Sequence, residues 1–289
     1  MLDAVIDLLA CPQCGHGVEL DRLDLDRSDL GGSALLCERG HNFDVAKQGY
    51  VSLLTGAATK FSGDTADMIA ARGDFLAAGH YDPIRHAAAR ACGASGTIAA
   101  RVLEVGAGTG QYLAVVLDEL PDSRGIGVDV SKPAVRRIAR SHPRVGAVLA
   151  DAWRQLPVRS GSVSHVLSIF APRNAAETHR VLEPGGRLVV VTPTSEHLRE
   201  LVALPGMVQV DDRKAQRLGA ALSGGFDRAD RREVRFSMAL PHPDLALLVG
   251  MGPSAHHVTA DRRAALLAGL PEPFTVTASV AVSVWTRRD

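Results

Sequence analysis

The chain has 289 residues, of which 46% are hydrophobic and 22% are charged, and its formal net charge is zero. This composition is ordinary for a globular protein, and the length predicts two domains. A net charge of zero excludes an overall field that attracts nucleic acid, so such a partner would need a local basic patch. The apolar runs are shorter than a membrane span, and no basic region precedes an apolar one at the N-terminus. Together with a Cys-x-x-Cys pair among four cysteines, these features predict a cytoplasmic protein without membrane contact.

Residues 1–10 predict a short helix, and two pairs of potential metal ligands follow it. Their spacing is Cys-x2-Cys and then Cys-x3-His, each on a turn that contains glycine. Three thiolates and one imidazole fill the tetrahedral shell of zinc, so the sequence predicts a structural zinc site. The alternatives are a redox pair in the first segment, which would normally adjoin a βαβ pattern, and His16 as a competing ligand. The predicted ligands are Cys11, Cys14, Cys37 and His41.

The next part of the chain predicts a connection between two domains. Residues 42–54 indicate a pair of partly buried strands, and the glycine- and serine-containing segment 55–64 indicates a linker or, alternatively, a mobile loop. Two helices are then expected, over residues 64–78 and 80–92, the first ended by a glycine and the second with proline in its first turn.

Residues 102–110 read Val-Leu-Glu-Val-Gly-Ala-Gly-Thr-Gly, and a helical pattern begins directly after them. A strand therefore leads through a tight turn into a helix, and glycine permits the positive φ that such a turn needs. A dinucleotide site would read G-x-G-x-x-G, but here the third glycine comes one residue early. The spacing resembles the S-adenosylmethionine (SAM) loop of Rossmann-like methyltransferases. The candidate SAM-binding residues in it are Glu104, Gly106, Gly108 and Gly110.

Two further carboxylates end the next two apolar runs. Asp129 closes the run that begins at Gly125, where a carboxylate can accept hydrogen bonds from ribose hydroxyls. Asp151 closes the following run, where methyltransferases often hold the adenine. Each aspartate alone could simply cap a strand, but ligand-type ends on three successive strands favour SAM over a nicotinamide cofactor.

From residue 101 the pattern alternates between strand and helix. Strands are expected near 101–106, 124–129, 145–150, 163–170 and 187–192, and helices near 109–120, 132–141, 174–182 and 195–203. The tail changes to two strands, 232–240 and 274–286, around a helix near 243–251. This order predicts an α/β, Rossmann-like SAM-dependent methyltransferase fold with a mostly parallel seven-stranded sheet. The predicted domains are a zinc-binding module (1–56), whose role in RNA recognition follows only from the family resemblance below, a linker with helices (57–100) and the methyltransferase domain (101–289).

The zinc-ligand pairs and the segment Phe43-Asp-Val-Ala-Lys-Gln-Gly-Tyr-Val-Ser-Leu-Leu54 resemble the large-subunit (23S) ribosomal RNA guanine-N1 methyltransferases. Further matches occur in the same order along nearly the whole chain: Asp64 to Met68, Ala71-Arg72, Ala78 to Tyr81, Asp129 to Lys132, Thr192-Pro193 and His197-Leu198. Phe170-Ala-Pro-Arg-Asn174 and Met251-Gly-Pro-Ser254 are similar to the tylosin-resistance branch of that family.

The resemblance implies roles, a substrate and cofactors. It implies zinc and SAM as cofactors, 23S ribosomal RNA as the partner, and pairing of two copies into a homodimer. It also implies macrolide resistance of the tylosin type as the biological role. The positions that match SAM contacts in the family are Tyr81, Thr109, Gly110 and His197.

The loop after the fourth predicted strand carries the candidate substrate-binding residues, Arg173 and Asn174. Arg173 can donate two hydrogen bonds to guanine O6 and N7, or hold a phosphate, although an exposed loop arginine would look the same. The loop lacks the Asn/Asp-Pro-Pro-aromatic signature used on exocyclic amines. The sequence identifies no general base for the proton on guanine N1.

Two basic clusters could line an RNA groove or simply face solvent: Arg136, Arg137, Arg140 and Arg144, and Arg228, Arg231, Arg232 and Arg235. Two other functions stay open at this point. One is a SAM methyltransferase for a small molecule such as an antibiotic or quinone, against which the zinc module argues. The other is a non-catalytic RNA-binding protein that senses SAM.

Overall fold

The computed structural model describes residues 2–22, 33–56, 63–93, 99–204, 214–252 and 259–289. The strands are β1 (Val18–Arg22), β2 (Ser33–Cys37), β3 (Asn42–Asp44), β4 (Tyr50–Ser52), β5 (Arg101–Val105), β6 (Arg124–Asp129), β7 (Val145–Leu149), β8 (Val163–Ile169), β9 (Leu182–Pro193), β10 (Phe226–Leu240) and β11 (Phe274–Arg287). The α-helices are α1 (Ala66–Ala77), α2 (Asp82–Cys92), α3 (Gln111–Glu119), α4 (Lys132–Ser141), α5 (Ala175–Val181), α6 (Arg199–Val202), α7 (Lys214–Leu222), α8 (His242–Gly250) and α9 (Ala260–Ala268).

The large sheet has the strand order β10-β11-β9-β8-β5-β6-β7-β4 within the described ranges. The strands from β4 to β9 pair in parallel, and β11 and β10 are added antiparallel at one edge. The seven strands expected from the sequence are present, and β4 is the eighth. Strand order reverses at β5, which lies between β8 and β6. In open α/β sheets, ligands bind beside the carboxyl ends of the strands at such a switch point.

Both faces of the sheet are covered, which explains why its central strands read as continuous apolar runs. One face packs against α1 to α4 and α8, with Phe75, Ile84 and Leu113 fully buried. The other packs against α5, α7 and the N-terminal segment, which contributes Val5 and Leu9. The N-terminus is therefore part of the main core.

The helix predicted over residues 1–10 is wrong. Two 3-10 turns, Leu2–Ala4 and Ile6–Leu8, occupy the segment. The chain then becomes extended at Leu9, which forms a bridge to Val158. This extension directs the chain toward Cys11, so that a continuous α-helix through residue 10 does not form.

The strand pair predicted over residues 42–54 is only partly correct. Both strands form, but β3 joins β1 and β2 in a separate three-stranded sheet, whereas β4 pairs with β7. A single bridge between Val45 and Val51 is what remains between them. The first part of the chain thus contributes an edge strand to the large sheet. Of the predicted linker, residues 57–62 lie outside the described residues.

The remaining expectations agree with the structure to within a few residues. The predicted helix near 195–203 is the shorter α6, because Leu198 before it has a left-handed φ of 55°. Two strands are longer than expected, since β9 already begins at Leu182 and β10 at Phe226. Pro253 and Ser254 of the branch-specific motif lie outside the described residues. Among the described residues, no helix is long and apolar enough to span a membrane.

Candidate functional site

The loop between β5 and α3 brings three glycines into left-handed conformations. Their φ angles are 68° at Gly106, 56° at Gly108 and 76° at Gly110. A Cβ at Gly106 would lie 2.8 Å from Cβ of Ala171, and one at Gly108 would lie 3.0 Å from Nη1 of Arg72. The loop therefore needs glycine both for its backbone and for the space around it.

Glu104 lies beneath this loop and is buried, with 1% of its surface exposed. Its Oε2 accepts a hydrogen bond from the backbone N–H of Leu113 at 3.1 Å, which ties β5 to α3. Burial raises the pKa of Glu104 to about 8. The structure thus shows Glu104 supporting the loop from below, and its direct contact with SAM stays a prediction.

Asp129 fixes the glycine loop from the neighbouring strand. Its Oδ2 accepts from the N–H of Gly108 and its Oδ1 from the N–H of Ser131, both at 2.9 Å. Burial raises the pKa of Asp129, while these two hydrogen bonds oppose that effect. Each carboxylate oxygen has a second lone pair, so the side chain can still accept hydrogen bonds from a ribose.

Asp151 lies beyond the end of β7, on the same edge of the sheet. It is buried, accepts a hydrogen bond from the N–H of Trp153 at 2.9 Å and lies 3.7 Å from Nε of Arg154. A small cavity beside it is also lined by Pro12 and Leu53. The predicted adenine side of the site therefore borders the segment that carries the first two cysteines.

Tyr81 and His197 meet on the other side of the glycine loop. Nε2 of His197 lies 3.4 Å from Oη of Tyr81, and Nδ1 accepts the N–H of Ser279 at 3.1 Å. Burial lowers the pKa of His197 to about 4 and raises that of Tyr81. His197 is therefore neutral, with its proton on Nε2. The Nε2–H group donates a hydrogen bond to Oη of Tyr81, so the hydroxyl hydrogen of Tyr81 is available to another acceptor.

The loop after β8 places Phe170 and Arg173 at the switch point. Phe170 has a left-handed φ of 52°, 41% of its surface is exposed, and its ring stacks on His197 with centroids 5.7 Å apart. Arg173 is half-buried, which lowers the pKa of its guanidinium, and it forms no hydrogen bond or ion pair with the described residues. Asn174 caps α5 by accepting the N–H of Glu177 at 3.3 Å.

The structure thus brings most of the predicted SAM and substrate residues to one edge of the sheet, around the loop that ends in Thr109 and Gly110. Thr109 is buried and its hydroxyl donates to Gln111 at 3.0 Å. The sequence did not single out Phe170 as a functional residue. The feature that marks Phe170 is its left-handed φ angle, which arises from the surrounding loop and cannot be deduced from the residue type.

The two basic clusters differ from simple charged patches. Arg144 uses its guanidinium to hold three carbonyl groups, including that of Leu117 at the end of α3, so it is structural. The arginines of β10 are interspersed with acidic residues, and Arg232 pairs with Asp230 at 2.8 Å. The three arginines of α4 are exposed: Arg136, Arg137 and Arg140.

The four predicted zinc ligands converge. All their ligand atoms lie within 4.8 Å of one another, with 3.8 Å between the sulfurs of Cys14 and Cys37 and 3.5 Å between Sγ of Cys11 and Nδ1 of His41. A tetrahedral zinc with Zn–S bonds of about 2.3 Å separates two sulfurs by about 3.8 Å. The donor set therefore fits zinc in size and chemistry.

Two turns shape this centre. The N–H of Gly15 donates to the carbonyl of Cys11, and the N–H of Gly40 donates to that of Cys37, both at 2.8 Å. Gly15 and Gly40 have φ angles of 76° and 80°. Backbone N–H groups within the turns donate to the sulfurs, those of Gln13 and Cys14 to Cys11 and those of Arg39 and His41 to Cys37.

The glycine loop, the carboxylates on the two following strands and the closed zinc centre define a SAM-dependent methyltransferase with an N-terminal zinc ribbon. Two family models match accordingly: the RlmA N-terminal zinc ribbon over residues 9–57 and a methyltransferase domain over residues 102–186. The chain belongs to the 23S rRNA guanine-N1 methyltransferases.

This membership rests on relatives that match both parts of the chain. The 23S rRNA (guanine(748)-N(1))-methyltransferase of Streptomyces fradiae is 44% identical over 97% of this chain and 97% of its own. A Micromonospora griseorubida protein, whose name gives the 23S rRNA guanine-N1 activity as a provisional assignment, is 46% identical over 95% and 96%. The crystal structure of a methyltransferase candidate from Bacillus halodurans C-125 covers 71% of this chain and 99% of its own, with a TM-score of 0.50 and 14% identity, and supports the fold alone.

Proposed function

We propose that this protein transfers the methyl group of SAM to N1 of a guanine in 23S ribosomal RNA, at the nucleotide that corresponds to guanine 748. The observation that carries the proposal is the match to the Streptomyces fradiae enzyme, which extends through the zinc ribbon and the methyltransferase domain alike. A methyltransferase for small molecules would share the second part without needing the first.

The residues at the switch point fit SAM as the cofactor. The left-handed glycines leave the loop backbone open, and a side chain at Gly106 would meet Ala171. Asp129 holds the loop and has lone pairs left for ribose hydroxyls. When bound, SAM supplies a methyl group on a sulfonium that is already a good leaving group. The task of the protein is therefore mainly alignment.

Tyr81 and His197 act in this proposal as a polar wall for the cofactor. Because the Nε2–H group of His197 donates a hydrogen bond to Tyr81, the hydroxyl of Tyr81 is oriented to donate a hydrogen bond to a further acceptor, for example a carboxylate. His197 itself does not serve as the general base for guanine N1. Its Nδ1 is occupied by Ser279 and its Nε2 carries the proton.

Arg173 is the residue proposed to contact the reacting base. Guanine N1 loses a proton as the methyl group arrives, and negative charge then develops on O6. A guanidinium that is half-buried and without a partner in the described structure can donate to O6, where reduced hydration strengthens the interaction. Asn174 supports this loop by capping α5, and its direct contact with RNA is part of the proposal.

The remaining parts of the proposal concern the whole protein. Residues 1–56 form the RNA-recognition module, residues 57–100 connect it, and residues 101–289 carry the reaction. The protein acts in the cytoplasm, two copies pair so that two zinc ribbons face one RNA, and the modification provides resistance to macrolides of the tylosin type. Sedimentation at increasing protein concentration tests the pairing.

The direct test uses zinc-loaded protein, SAM with a tritiated methyl group and large-subunit ribosomal RNA. N1-methylguanine blocks base pairing, so reverse transcription is expected to stop beside one guanine. Tritium incorporated into RNA, together with a stop at that position, supports the proposal. Tritium in a macrolide but not in RNA would favour the small-molecule alternative. SAM binding without any methyl transfer would favour a non-catalytic RNA-binding protein.

A further inference from the structure

Phe170 has an unusual backbone for its residue type. Its φ of 52° is left-handed, a region that residues with a large side chain seldom occupy because it is strained. The conformation is maintained by the surroundings: the N–H of Phe170 donates to the carbonyl of Val191 at 3.1 Å, and Ala171 next to it packs on Gly106. The loop therefore keeps a strained residue in place directly beside the glycine loop.

The strain brings an aromatic ring to the surface of the site. Phe170 is 41% exposed, whereas most large apolar side chains of the described residues are buried. Its ring is stacked on the imidazole of His197 at a centroid distance of 5.7 Å and lies 6.4 Å from the ring of Tyr81. His197 and Tyr81 are both buried and hydrogen-bonded to each other. A fixed aromatic pair thus supports the ring from behind and leaves the rest of it to solvent.

A flat, exposed and rigidly supported ring is suited to a flat, unsaturated ligand. Nucleic-acid bases stack on such rings when they leave the helix. Two bases could supply this chemistry, the adenine of SAM and the target guanine. The predicted adenine residue Asp151 follows β7, two strands beyond the switch point, whereas Phe170 follows β8 beside the reaction loop. This placement favours the guanine.

We propose that the exposed part of the Phe170 ring is the surface on which the target guanine stacks after it has turned out of the RNA. The inference rests on the proposed function and deepens it, since it names the residue that holds the base. Phe170 would hold the guanine plane while Arg173, three residues later, would reach its O6 edge.

The test compares Phe170→Leu with Phe170→Tyr. Both variants keep an apolar side chain next to His197, but Phe170→Tyr keeps the aromatic plane and Phe170→Leu removes it. Base stacking on an aromatic side chain contributes enough that its loss lowers kcat/KM for RNA by roughly 5- to 150-fold. Phe170→Leu is expected to show this loss and Phe170→Tyr to retain activity, with SAM affinity by calorimetry close to wild type in both.

Phe170→Tyr is the matched control, because it keeps an aromatic plane at the same position of the same loop. A direct readout uses an RNA hairpin with 2-aminopurine at the target position. The fluorescence of this base is quenched by stacking, so the complex with Phe170→Leu is expected to be brighter than the wild-type complex.

Three outcomes separate this inference from the proposed function. Product from wild type, loss in Phe170→Leu and retention in Phe170→Tyr support both. Product from wild type with undiminished activity in Phe170→Leu, or an equal loss in Phe170→Tyr, overturns the stacking role and leaves the reaction intact. Absence of RNA methylation by the wild type overturns the proposed function and the stacking role together.

Discussion

Nε2 of His197 lies 3.4 Å from Oη of Tyr81, and the direction of this hydrogen bond is fixed from the far side of the imidazole. The N–H of Ser279 in β11 donates to Nδ1, so the ring must carry its proton on Nε2. A second proton would have to be placed on Nδ1 and would break the bond to Ser279. The folded protein therefore favours the neutral imidazole.

This relationship predicts a loss of stability in mild acid. Burial lowers the pKa of His197 to about 4 in the folded state, against about 6.5 in the unfolded chain. Between these values the unfolded state binds the additional proton, so the contribution is complete above pH ~6.5 and falls as the pH approaches 4. Lowering the pH from 7.5 to 5.5 is expected to cost about 1 kcal/mol through this residue.

Urea unfolding of wild type and His197→Gln at both pH values measures the effect. Glutamine can accept from Ser279 and donate to Tyr81 but does not titrate, so the variant should lose about 1 kcal/mol less on acidification than wild type. Acid effects on the zinc ligands are common to both proteins and cancel in the difference. An identical pH dependence in the two proteins would show that His197 is already free to protonate in the fold.

Gly106→Ala is expected to lower methyl transfer far more than Gly161→Ala. Both glycines have left-handed φ angles, 68° and 61°, so both substitutions carry a similar backbone cost. A Cβ at Gly106 would lie 2.8 Å from Cβ of Ala171, whereas nothing lies within 4 Å of one at Gly161. Displacing the Phe170–Arg173 loop should reduce kcat/KM roughly 100-fold, as small misplacements at reaction sites do.

Steady-state kinetics with RNA and thermal melting of both variants check this prediction. Similar melting temperatures with a large difference in kcat/KM would attribute the effect to the contact with Ala171. Equal kinetics would mean that the loop after β8 adapts without cost to the reaction.

Local patterns were sufficient to predict the sheet-and-helix alternation and the zinc ligands. Continuous apolar runs that end in Glu104–Gly110, Asp129 or Asp151 are visible because buried parallel strands have this composition. The spacing of the cysteines is similarly local, because each pair occupies one turn. These are the parts of the molecule for which neighbouring residues alone determine the structure.

Long-range partners could not be predicted in the same way. Residues 42–44 and 50–52 have the composition of strands, but nothing in them specifies that the second pairs with β7 instead of the first. The left-handed φ of Phe170 arises from its bond to Val191 and from the fit of Ala171 on Gly106. Such features depend on residues far away in the chain, and this explains why the strand partner was wrong and why the sequence did not single out Phe170.

The N-terminal segment is attached to the main sheet through a glycine that the sequence did not single out. A Cβ at Gly146 in β7 would overlap Cγ2 of Val5, and Asp7 pairs with Arg124 of β6 at 2.6 Å. Gly146→Ala is therefore expected to destabilise the protein by about 1 to 3 kcal/mol through overpacking.

A size exchange tests the same contact. Val5→Ala leaves a cavity, but combined with Gly146→Ala it removes the methyl group that the new Cβ would strike. The double variant is expected to be more stable than the sum of the two single effects, by an interaction energy of about 1 kcal/mol or more in urea unfolding. Strict additivity would mean that the two residues are not in contact in solution.

Removing the zinc ligands is expected to weaken RNA binding more than SAM binding. Cys11→Ser combined with Cys14→Ser removes two of the four ligands, while Cys92→Ala removes a buried cysteine that lies outside the cluster. The first protein should lose its zinc in metal analysis, and the second should retain it. Because a closed zinc site stabilises a region too small to form its own core, the surface of the β1–β3 sheet should lose its shape. The glycine loop and Asp129 depend on β5 and β6 and should still bind SAM.

Pro12 borders the cavity beside Asp151, so a small loss of SAM affinity is compatible with the prediction. Wild-type RNA affinity in a folded, zinc-free variant would instead assign RNA binding to the methyltransferase domain.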